Sequence, residues 1–144
     1  CGAVAAQAGE RQNVVEPRPG TPLPFSDGVR GGDTLYVAGH LGLDPKTQQA
    51  PADVELEARL VMDGVKRTVE AAGFTMDDLV SVTVFCSDLS RYDTFNGVYR
   101  GYFKGGFPAR AFIGSGPLLR GARFEVLGVA VRATARGAGS AAAR

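Results

Sequence analysis

At 144 residues, 44% of them hydrophobic and 22% charged, the chain has the size and balance of one globular domain able to bury its own core. Sixteen basic against fifteen acidic residues leave a formal net charge of +1, far from the basic field that drives nonspecific nucleic-acid binding, so no nucleic-acid partner is expected. Two cysteines, Cys1 and Cys86, and one histidine, His40, make neither a disulfide framework nor a zinc pattern, and no apolar run reaches the ~18 residues of a membrane span.

Residues 1–24 are rich in Ala, Gly and Pro, with Pro17, Pro19, Pro22 and Pro24 too closely spaced for a helix or a central strand. They read as a flexible leader or tether. The opening Cys1-Gly2 fits a processed, lipid-bearing terminus followed by such a tether. Thr34 to Ala38 form a β-branched and aromatic run closed by Gly39, with Phe25 to Arg30 as the hairpin partner across Gly31-Gly32.

Asp53 as N-cap and Gly73 as terminator bound the clearest helix, whose apolar stripe is Val54, Ala58, Val61, Val65, Val69 and Ala72. The charges between, Glu55, Glu57, Arg59, Asp63, Lys66, Arg67 and Glu70, read as its solvated face. Thr75 with Asp78 resembles a capping box ahead of an alternating strand, Leu79 to Cys86. Ser90 with Asp93 marks a second helix start, Tyr92, Phe95, Tyr99, Tyr102 and Phe103 share one face, and Gly105-Gly106 ends it.

Strands follow over Ala109 to Gly114 and Phe124 to Ala133, with Gly116, Pro117 and Gly121 between them. The order ββαβαββ predicts a two-layer α+β domain over residues 25–133, with a tail over 134–144. Both helices cover one face of a mostly antiparallel sheet. Apolar residues on both sides of the strands predict that another subunit covers the second face.

Three segments in register now carry a family resemblance over about residues 24–132. "PFSDGVRGGDTLYVAGHLGLDPKT", "TVFCSDLSRYDTFNGVYRGYF" and "FPARAFIGSGPLLRGARFEVLGVAV" resemble the reactive-intermediate imine deaminase (RidA/YjgF) family. The resemblance implies a chorismate-mutase-like fold assembled as a homotrimer around a central barrel, with clefts between subunits. It also implies cofactor-free hydrolysis of small imino or enamino acids such as 2-aminoacrylate to 2-keto acids and ammonia, and a cytoplasmic location, the exported lipoprotein being the alternative. The rival functions are a non-catalytic small-carboxylate-binding or chaperone-like trimer and an endoribonuclease.

Arg110, after Pro108-Ala109, matches the family's carboxylate-binding arginine, and a planar guanidinium suits a planar carboxylate. Glu125 lies between Phe124 and Val126, where an ionisable group must face solvent or find a partner. It matches the glutamate that holds and deprotonates the attacking water. Asn96 and Gly39 match cleft positions, and the backbone N–H of Phe112 is available to a carboxylate oxygen.

Phe25 stands where the family commonly has a cleft tyrosine, Ala38 where many members have serine, Phe112 where some have cysteine, and His40 where glutamine is usual. A lone histidine after a strand reads as structural or surface-lying rather than as a base. Cys86, with apolar neighbours, reads as inert and buried.

Overall fold

The computed structural model describes residues 9–132. Cys1, Ala133 and the expected tail over 134–144 lie outside them. Six strands and two α-helices follow in the order β1 (Arg11–Val14), β2 (Gly28–Gly31), β3 (Thr34–Leu41), α1 (Val54–Ala71), β4 (Leu79–Cys86), α2 (Tyr92–Tyr99), β5 (Ala109–Gly114) and β6 (Phe124–Val131). They form one sheet ordered β1-β2-β3-β6-β4-β5, antiparallel except for β4 beside β5, which α2 connects.

β1 falls inside the stretch expected to be a leader. It is polar up to Val14, so it shows no alternation, yet its backbone pairs with β2 from Arg11↔Gly31 to Val14↔Gly28. Gly39 does not close β3, which runs on to Leu41 through a register shift between Val37 and His40. Two strand residues, Ala38 and Gly39, therefore oppose Leu127 alone, the arrangement of a β-bulge.

α1 begins as expected. The Asp53 carboxylate accepts the N–H groups of Glu55 at 2.9 Å and Leu56 at 3.2 Å. Gly73, at φ 79°, terminates the helix in a conformation that favours glycine. Its buried stripe is Ala58, Val61, Val65 and Val69, joined by Met62 and Thr68.

Glu57 departs from the expected solvated face. It is fully buried, with Oε1 accepting the N–H groups of Arg123 at 2.6 Å and Phe124 at 3.1 Å, and Oε2 accepting Arg123 Nε at 2.6 Å. A carboxylate so completely hydrogen-bonded can replace an apolar side chain under the sheet.

The second helical stretch starts at Asp88 rather than Ser90. Asp88 accepts from the Ser90 backbone at 3.1 Å and hydroxyl at 2.6 Å, making Ser90 the donor. α2 itself stops at Tyr99 and passes into a 3-10 turn over Arg100–Tyr102, short of Gly105; Gly97 and Gly101 weaken helix propensity there.

Both helices pack on one sheet face over Leu35, Val37, Val82, Val84, Cys86, Phe124 and Val126, with Phe95 of α2 in the same core. The opposite face is bare in this chain, leaving Tyr36 60% exposed and Ile113 42% exposed. Among the described residues no helix is long and apolar enough to cross a membrane.

Candidate active site

Arg110 sits on β5, the last strand of the sheet, opposite Val82 and so on the helix-covered side. Its half-buried guanidinium donates from Nη2 to Asn96 Oδ1 at 2.8 Å. The Cζ atom lies 4.6 Å from the Tyr99 ring centroid, 5.3 Å from Phe112 and 5.8 Å from Tyr92. The aromatic faces favour the cation and the amide fixes its plane.

Nη1 is buried and has no hydrogen-bond partner among the described residues, as is the Tyr99 hydroxyl. Burial pushes the Tyr99 phenol up to about 12, against the opposing pull of Arg110. It therefore stays protonated at neutral pH. A cavity of about 190 Å³ opens here between Tyr92, Asn96, Tyr99, Phe107 and Arg110. Its walls, a fixed cation set in aromatic rings, suit a small organic anion.

Glu125 is elsewhere. On β6 it pairs with Leu41 and Phe85, and alternation turns it to the uncovered face while Phe124 and Val126 face the helices. Gly39, in the β3 bulge, lies directly against it: a Cβ built on Gly39 would overlap Glu125 Oε1 and stand 3.1 Å from Cδ. A glycine here leaves the space that the carboxylate occupies.

The residues expected to form one site thus fall into separate groups within a single chain. Arg110, Asn96 and Phe112 form the first, with Phe112 packed edge-on against Tyr92 at 4.9 Å and Phe95 at 5.5 Å. Gly39 and Glu125 form the second. Phe25, 55% exposed, lines a different hollow of about 590 Å³ with Arg18, Pro22, Leu23 and Val29.

His40 is held inside the structure by contacts of its ring nitrogens with the Ala38 carbonyl at 2.7 Å and Thr68 Oγ1 at 2.9 Å. Cys86 is fully buried, its thiol donates to the Asp88 carbonyl at 3.1 Å, and burial pushes its pKa up. Both match the structural readings made for them.

Tyr99, Tyr92 and Phe107 also line the cavity, without belonging to the site expected from the sequence. The signal was present for the tyrosines, which share the α2 face of Asn96 by helical spacing. Glu57 also had a signal, since it stands three residues after Val54 and four before Val61 and so falls in the phase of the buried stripe.

Fold and site together define a small α+β protein that presents an arginine set among aromatic rings at one edge of its sheet and a glycine-backed carboxylate on the uncovered face. The family profile described as Endoribonuclease L-PSP matches residues 15–132, and the chain belongs to this family, the RidA/YjgF family. It is 37% identical over 122 residues to the 2-iminobutanoate/2-iminopropanoate deaminase of Escherichia coli K12, covering 83% of this chain and 95% of that protein. A RutC family protein of Sulfurisphaera tokodaii is 36% identical, covering 72% of this chain and 83% of that one. Among solved structures, the YjgF gene product of E. coli superposes with a TM-score of 0.77 at 34% identity, covering 85% of this chain and 99% of that one. E. coli TdcF with bound serine gives 0.76 at 32% identity, covering 85% and 100% respectively.

Proposed function

We propose that the protein hydrolyses imines of small 2-keto acids, at sites completed by a second copy of the chain. The observation that carries this reading is the separation of Arg110 and Glu125 onto opposite faces of one sheet. A carboxylate clamp and a water-activating carboxylate serve one substrate only if they are brought together. Three copies packed through their bare sheet faces can do this, placing the Arg110 group of one subunit beside the Glu125 group of the next. The apolar outer face, with Tyr36 and Ile113, supports such packing. The names of the E. coli relatives support the reaction, and the serine held by TdcF supports a ligand of this size.

In this scheme the substrate carboxylate is held by Arg110, whose plane is set by Asn96, with the Phe112 backbone N–H as a further donor. Water adds to the imine carbon while Glu125 accepts its proton. The C–N bond of the resulting tetrahedral adduct then breaks, the nitrogen leaves as ammonia carrying protons supplied through Glu125, and a 2-keto acid remains. Fixed charges and orientation supply the rate enhancement. Phe25 and Ala38 contribute no hydroxyl to this chemistry.

The test is the initial rate of keto-acid formation from 2-aminoacrylate or 2-iminobutanoate generated in situ. Turnover by the native protein, lost in Arg110→Ala and Glu125→Gln, is the expected result. Binding of the 2-keto acid without any turnover by the native protein would favour a small-carboxylate-binding trimer instead.

A further inference from the structure

We propose that His40 is a positioning residue for this reaction, its imidazole closing the β3 bulge and thereby fixing Gly39 against the Glu125 carboxylate. The proposal rests on the reading of Glu125 as the proton acceptor. In the bulge, Ala38 and Gly39 stand opposite Leu127 alone, and Ala38 lies just beyond the last β2 pair, Gly28↔Val37. The Ala38 N–H is taken by the Asp27 carbonyl at 2.9 Å. Its own carbonyl is taken by His40 Nδ1 at 2.7 Å, a bond that bends the bulge back on itself two residues on.

The far side of the ring is anchored to α1. His40 Nε2 is 2.9 Å from Thr68 Oγ1, and Gly64 leaves room for the ring, since a Cβ there would stand 3.2 Å from His40 Cδ2. The threonine hydroxyl reaches on to Glu16 Oε1 at 3.2 Å. Glu16 is held in turn by Arg67 Nε at 3.4 Å and, through its N–H, by Asp27 Oδ2 at 2.7 Å; Arg18 pairs with Asp27. Glu125 is the acidic group on the other side of the bulge. A single side chain thus ties the backbone behind the catalytic carboxylate to the helix and to the segment before β2.

The hydrogens can be counted. The Ala38 carbonyl and the Glu16 carboxylate only accept, so the three contacts Ala38–His40, His40–Thr68 and Thr68–Glu16 need three hydrogens. A neutral imidazole and one hydroxyl supply two. The full set therefore requires both ring nitrogens of His40 protonated. When the ring loses a proton one contact must open, and the bulge is held less firmly.

Because the chain contains one histidine, ring-nitrogen NMR reads its protonation without ambiguity. The experiment combines that titration with kcat and keto-acid affinity for the native protein, His40→Ala and His40→Gln. kcat should fall with rising pH as the ring loses its proton, wherever the NMR titration places that step. His40→Ala should lose at least about tenfold in kcat while keto-acid affinity at the Arg110 clamp changes less than about twofold. His40→Gln offers the Ala38 carbonyl a donor that does not titrate, so it should recover most of the rate and flatten that limb of the pH profile.

Native kcat in His40→Ala, or one pH profile shared by the native protein and His40→Gln, overturns the proposal and leaves the deaminase reading standing. If His40→Ala fails to fold, the comparison of those two profiles decides alone. An absence of imine turnover by the native protein overturns both.

Discussion

Replacing Gly39 by alanine separates catalysis from folding. The added methyl would overlap Glu125 Oε1 and stand 3.1 Å from Cδ and 3.3 Å from Cγ, whereas relaxed carbon contacts lie at about 3.5–4.0 Å. The obstructing atom is the end of a flexible side chain and the glycine has no positive φ, so the backbone can stay where it is. What must move is the carboxylate, by on the order of 1 Å, and with Glu125 as the proton acceptor proposed above a displacement of that size should lower the rate roughly 10²-fold. Conformational stability should change by less than about 1 kcal/mol, the range of an unstrained exposed substitution. The assay pairs the initial rate of keto-acid formation with urea unfolding. A Gly39→Ala protein of native stability and native kcat would show that the position of Glu125 does not control the reaction.

Gly42→Ala makes the structural contrast, because its methyl would overlap the Glu57 backbone oxygen and stand 3.0 Å from Glu57 Cγ. Backbone cannot swing aside, and a loss of about 1–3 kcal/mol in chemical unfolding is expected. Glu57→Ala should lower stability by about 3–5 kcal/mol, since it strips the carboxylate from Arg123, leaving that cation only the Pro51 and Ala52 carbonyls, and from two backbone N–H groups; an effect below about 1 kcal/mol would mean that water replaces the carboxylate. Arg110→Ala should reduce kcat/KM by at least about a hundredfold, the loss of a charge-assisted contact shielded from water, with Arg110→Lys recovering little. Cys86, whose raised pKa leaves less thiolate at any given pH, should resist alkylation in the native protein at pH 8 and react on unfolding, as peptide mass spectrometry would read.

Much of the fold was legible because the long elements carry their own punctuation. Asp53, the apolar stripe through Val69 and the terminator Gly73 define α1 without tertiary information, and the alternation in Leu79–Cys86 defines β4. What escaped is what depends on partners distant in sequence. Arg11–Val14 becomes a strand because β2 offers its edge, not through any alternation of its own. Glu57 is buried because the start of β6 turns two N–H groups toward it. The bulge at Ala38-Gly39 arises from register with β6, so Gly39 read locally as a strand end.

The candidate site residues come from motif, but their separation onto two faces does not. A motif lists side chains in chain order, while the face each one takes follows from strand parity and sheet order. Only the assembled sheet places Arg110 opposite Val82 on the covered side and Glu125 beside Phe85 on the bare one.

That separation is best tested by subunit complementation. Arg110→Ala and Glu125→Gln should each be inactive as pure proteins. In a trimer containing both, one cleft of the three pairs an intact Arg110 group with an intact Glu125 group from the neighbour. Random assembly of equal amounts puts both variants in about three trimers of four, so about a quarter of the native rate should return on mixing during assembly. Activity restored to that level supports a site shared between copies; mixed trimers as inactive as their parents would contradict it.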